Sequence, residues 1–131
     1  MTDLRTLVLE DSADAIARGL RSGEIRNMNA PVSGVPDYPP LLHYAVHVGA
    51  AQVVARLLAT MGPLDAVDAR GRNLHMYLRT DAMARLLIES NHPEASLFFQ
   101  GASPEFVDAL SSTTVDLIRT KLGLIVSRQK K

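Results

Sequence analysis

Cysteine and tryptophan are both missing from the 131 residues of this chain. Without cysteine there can be neither a disulfide framework nor a thiolate zinc site, so stability has to come from packing. The length is sufficient for one domain with a core that needs no metal or cross-link. Aromatic rings are scarce: three Phe and three Tyr are too few for a stacking platform that holds single strands or sugars. Neither sign of charge dominates, since 14 Lys and Arg face 14 Asp and Glu. That balance removes the bulk electrostatic case for nucleic acid or an anionic membrane surface. Long hydrophobic runs are also lacking. Met1-Thr2-Asp3-Leu4-Arg5 has neither the basic nor the apolar region of a secretory signal, and no later stretch approaches a membrane span. The expectation is a soluble, cytoplasmic protein with no cofactor, no nucleic-acid partner and no membrane partner.

Small aliphatic residues, by contrast, are plentiful, and they recur at helical spacing in short blocks separated by turn chemistry. Leu4 to Leu9 is the first block. Asp11-Ser12 offers an N-cap for Ala13 to Leu20, and Gly23 a stop. Asn27 to Pro40 holds four prolines, a glycine and two asparagines, which predicts the longest loop. Leu41 to Val48, a break at Gly49, and Ala50 to Met61 predict an antiparallel helix pair. After a polar turn from Asp65 to Gly71, Leu74 to Arg79 and Asp81 to Glu89 repeat the pair. Glu94 to Phe99, then Phe106 to Leu110 behind Ser103-Pro104-Glu105, and finally Thr113 to Ser127 complete an all-α chain. In the last helix Val115, Ile118, Leu122 and Ile125 form a stripe that Leu117 and Leu124 widen.

A short helix, a glycine, a longer helix ending in paired leucines and a polar turn form a unit that cannot bury its apolar face alone. Pro40-Leu41-Leu42-His43-Tyr44-Ala45-Val46-His47-Val48-Gly49 resembles the ankyrin-repeat signature. Val53 to Leu58 is similar to the second helix of that family, and Leu64 to Gly71 to its connecting finger. His75 restarts the pattern 32 residues after His43, near the family period of about 33. Departures exist: Arg72-Asn73 replaces threonine and proline, and Leu57 to Leu86 spans only 29 residues. That deficit predicts a shortened first helix near Thr80-Asp81. The resemblance implies an ankyrin-repeat solenoid of three to four helix-turn-helix units with atypical capping helices. One domain, 1–131, would then comprise an N-terminal cap and loop (1–36), the best-matching repeat (37–70), a shortened repeat (71–92), C-terminal capping helices (93–127) and a basic tail (128–131).

Reactive chemistry finds little support. His43 and His47, four apart on a helix, with His75 as a third ligand, would suit a zinc-dependent enzyme, but Tyr44 stands where such a motif carries its Glu. The resemblance instead makes His43 and His75 structural, each ring bonding the backbone of a neighbouring turn. No glycine-flanked serine elbow and no phosphate-binding glycine loop occurs in the sequence. Asp65 and Asp68 read as turn formers, and Arg18, Arg21 and Arg26 as a solvated face. The expected function is non-catalytic: an adaptor, inhibitor or chaperone-like subunit that binds a protein partner. The resemblance places the contacts at the finger tip, with Ala69, Arg70 and Arg72, and on the first helices, with His47, Val48, Arg79 and Thr80. Arg70, Arg72 and Arg79 are the strongest candidates, because a guanidinium pairs bidentately while its stem packs. The extra leucines of the last helix suggest an alternative, a homodimer formed through the C-terminal helix.

Overall fold

A computed structural model describes residues 4–60, 62–78, 80–90 and 92–124. It is all-helical, with nine helices among the described residues. α1 (Leu4–Leu9) and α2 (Ala13–Ser22) form the first pair, and Gly23 ends α2 in the left-handed conformation expected of a C-terminal glycine. α3 (Leu41–Val48) and α4 (Ala51–Leu58) form the second pair, α3 closing on a left-handed Gly49. α5 (Leu74–Tyr77) and α6 (Asp81–Glu89) come next, α5 packing on α3 and α6 on α4. α7 (Ala95–Gln100), α8 (Pro104–Asp108) and α9 (Ser112–Leu122) follow.

Packing sorts these helices by their place in each pair. α1 packs on α3 and α3 on α5; α2 packs on α4, α4 on α6 and α6 on α9. One hydrophobic core runs along the junction, from Leu7, Val8 and Ile16 through Leu41, Leu42, Val53, Val54, Leu57 and Leu58 to Leu74, Ile88, Phe99 and Ile118. Each fully buried aliphatic side chain contributes about 2 kcal/mol by leaving water.

Several expected boundaries move. α4 stops at Leu58, with the Thr60 hydroxyl and amide both bonded to the Leu57 carbonyl; Met61 lies outside the described residues. α5 is a single turn, because Leu78 is already extended (φ −81°, ψ 105°) and Thr80 caps the next helix by accepting the Met83 N–H. α9 starts at Ser112 and ends on a left-handed Gly123, with Ile125 and Ser127 outside the described residues. The expected cap at Asp11-Ser12 is not made within α2. Asp11, at φ 51°, turns outward instead and accepts the Val53 N–H (3.0 Å) and the Gln52 N–H (3.4 Å) at the start of α4. Asp81 does the same one step on, accepting the Ser111 N–H (2.8 Å) and the Thr114 hydroxyl (2.7 Å) at the start of α9. An acidic residue at one second helix thus neutralises the unsatisfied amides of another, which fixes their mutual height.

Candidate interaction surface

The connectors between pairs are tied to one another by polar bonds. In the first, Asp37 and Tyr38 both take positive φ, 70° and 47°, a conformation that costs a bulky residue about 1–2 kcal/mol. It is enforced from both sides. The Val32 N–H donates to the Pro39 carbonyl (2.9 Å), Pro31 and Pro40 form an antiparallel bridge, and the Ala69 N–H of the second connector donates to the Asp37 carbonyl (2.9 Å). The result holds Tyr38 out into solvent, 60% exposed.

The second connector is organised by Asp68, whose side chain is fully buried. Its carboxylate accepts the Arg70 N–H, the Arg72 N–H, the Arg72 Nε–H and the Tyr77 hydroxyl. Burial alone would push this carboxyl up, but the bonds from Tyr77, Arg72 and Arg70 outweigh it and hold the group well below the usual carboxylate range. Arg72 also reaches Asp37 (2.7 Å) and lies over the Tyr77 ring at 5.6 Å. Its bond to Asp68 raises its own pKa further. Tyr77 is pushed up to about 12, by burial first and by its bond to Asp68 second.

His43 and His75 each bond a backbone carbonyl farther along the chain, His43 in the second connector and His75 in α7. His43 Nε2 lies 2.8 Å from the Ala66 carbonyl and His75 Nε2 2.7 Å from the Phe98 carbonyl, both 23 residues downstream. Carbonyls only accept, so Nε2 carries the hydrogen in both rings. His43 is fully buried and its Nδ1 has no partner among the described residues. Burial lowers its pKa to about 4, against a weaker upward pull from the Ala66 bond and Asp68. Burial lowers His75 as well, against the bond to Phe98. Its ring stacks on Phe98 at 3.9 Å and meets Phe106 edge-on at 5.3 Å. His92, which sequence reasoning passed over, uses both nitrogens: Nε2 donates to the Gly62 carbonyl and Nδ1 accepts the Glu94 N–H.

The sequence-derived contact residues fall in different situations. His47 and Val48 are exposed at the end of α3, with the His47 ring 5.9 Å from Tyr77. Ala69 and Arg70 are exposed on the second connector, Arg70 with its side chain 68% accessible and 4.0 Å from Asp37. Thr80 is exposed and serves as a cap. Arg72 is committed to Asp37, Asp68 and Tyr77, which makes it a brace between connectors. Arg79 lies outside the described residues. His43, His47 and His75 form no metal site: among the described residues no three His, Cys, Asp or Glu side chains are placed to hold an ion. Leu117 and Leu124 pack, half-buried, against the core. No helix among the described residues is long and apolar enough to cross a membrane.

Five residues absent from that set stand out: Leu9, Tyr38, Val67, Met76 and Leu97, between 51% and 69% exposed. Met76 follows His75 directly and was within reach of the repeat register. Tyr38 was not, because its exposure depends on a left-handed turn that tyrosine disfavours. No protein-family model matches this chain, and neither a curated protein nor a solved structure matches it.

Proposed function

We propose that this chain is a non-catalytic protein-binding module of the ankyrin-repeat type, three to four units long with atypical ends, gripping a protein partner through its connectors and first helices. One observation carries the binding reading. The large apolar side chains left exposed are Leu9, Tyr38, Val48, Val67, Met76 and Leu97. All belong to α1, α3, α5, α7 or the connectors, and none, among the described residues, to α2, α4, α6 or α9. Exposed apolar residues scattered at random need no explanation; their confinement to one set of elements supports a partner that covers those elements. The repeat reading is supported by the two 23-residue histidine bonds and by first helices packing on first helices, second on second. In it α7 stands where a connecting finger would be, since its Phe98 receives His75 as Ala66 receives His43.

The test pairs two triple variants. Tyr38→Lys, Val48→Lys and Met76→Lys together should abolish recovery of the native partner from cell extract with the circular-dichroism melting curve unchanged. Ala55→Lys, Ala59→Lys and Ala82→Lys, on exposed positions of α4, α6 and the turn after α4, should leave recovery intact. Equal recovery by both would refute the reading.

A further inference from the structure

Beyond the general binding surface, one groove has a chemistry of its own. A cavity of about 420 Å³ lies between the second connector and α7, with Leu64, Asp65, Val67, Glu94, Leu97 and Phe98 among its lining. Its walls are apolar: Leu64, Leu74 and Phe98 belong to the core, while Val67 and Leu97 are 51% and 69% exposed at its mouth. Its charge has one sign. Asp65 and Glu94 contribute carboxylates, and no Lys or Arg lines it among the described residues, in a chain whose net charge is zero. Glu94 is fixed in place, because its Oε1 accepts the Leu64 N–H at 3.0 Å. Burial disfavours the cationic form of the His75 ring, which donates to the Phe98 carbonyl and stacks on the Phe98 face. The connector and α7 are held at a set spacing by that bond, by Glu94 to Leu64 and by His92 to Gly62. The groove is therefore preformed, which lowers the cost of filling it.

We infer that this groove docks an extended peptide segment of a protein partner in which a Leu- or Phe-sized side chain is flanked by lysine or arginine. The apolar side chain enters between Val67 and Leu97, and the flanking cation pairs with Asp65 and Glu94. Desolvating two carboxylates against an acidic or neutral segment is unfavourable, and a basic one compensates for it. The inference deepens the binding reading and rests on it, but names a different set of residues from those that test that reading.

Three probe peptides of equal length decide the matter by nuclear magnetic resonance titration of the intact chain: phenylalanine flanked by arginines, phenylalanine flanked by glutamates, and serine flanked by arginines. Only the first should move the methyl signals of Val67 and Leu97. Leu97→Lys should weaken it at least about tenfold, and Asp65→Asn with Glu94→Gln should weaken it and remove its salt dependence while the Leu64 N–H keeps an acceptor. Equal shifts from the glutamate-flanked or the serine peptide would overturn the inference, as would shifts confined to α2, α4 and α6. A chain whose partner recovery depends on Tyr38, Val48 and Met76, yet whose groove ignores all three peptides, would overturn this inference and leave the general binding reading standing.

Discussion

Around His43, α3 runs for eight residues with Leu41 through Val46 all buried; around His75, α5 runs for four with only Leu74 buried. The imidazole bond to the backbone 23 residues downstream is nevertheless the same in both. The two bonds thus span the same length of chain although one helix is twice as long as the other. His75 stacks on Phe98 and meets Phe106 edge-on, whereas His43 is fully enclosed and meets Tyr77 edge-on at 5.4 Å. Enclosure has an electrostatic consequence. A second proton on His43 would sit on a buried Nδ1 with no acceptor among the described residues, whereas His75 remains half-exposed.

The sharpest way to break this comparison is to remove each ring in turn. His43→Ala should cost about 3 kcal/mol, from the cavity and the orphaned Ala66 carbonyl, and His75→Ala about 1–2 kcal/mol, because water reaches its site. Urea unfolding midpoints measure both; equal losses would contradict the difference in enclosure. Acid should reveal the same asymmetry. The folded pKa of His43 is about 4 against an unfolded 6.5, so the unfolded chain takes the proton first. Its contribution is complete above about pH 6.5 and is lost as pH falls towards 4, up to about 3 kcal/mol in all. Asp68, also lowered, adds a separate loss only below its unfolded value of 3.8. His43→Gln, which keeps a donor for Ala66, should reduce the slope of the stability profile between pH 6.5 and 4, leaving the share of His75, which burial also lowers, and the lower step. The smallest effects distinguish the two arginines of the connector. Arg72→Ala should lower the melting temperature, since it unties Asp37, Asp68 and Tyr77. Arg70→Ala should stay within about 0.5 kcal/mol of the parent by calorimetry.

Local chemistry made much of this legible. Gly23 and Gly49 stop helices where a left-handed residue is needed, Ser103-Pro104 opens α8, and the short helix expected near Thr80 is the single turn of α5. The candidate surface was legible only in part. His47, Val48, Ala69, Arg70 and Thr80 are exposed, because a repeat register places a residue on a face. Register says nothing of what stands opposite, so Arg72 was read as a free contact when Asp37, 35 residues away, already holds it. Asp11 departs from its local expectation for the same reason: the amides it caps, of Gln52 and Val53, belong to α4, 41 and 42 residues on.

The sequence by itself determined the all-helical character, most helix starts and stops, and the equivalence of His43 and His75, because these depend on residue type and short-range periodicity. Tertiary structure alone decided which polar side chains are spent internally, how Tyr38 is forced outward, and that the carboxylates of Asp65 and Glu94 come to rim one apolar groove. Their decisive contacts, Ala69 with Asp37, Arg72 with Asp37 and Glu94 with Leu64, join segments about 30 residues or more apart, where chain packing sets the distances and no local pattern records them.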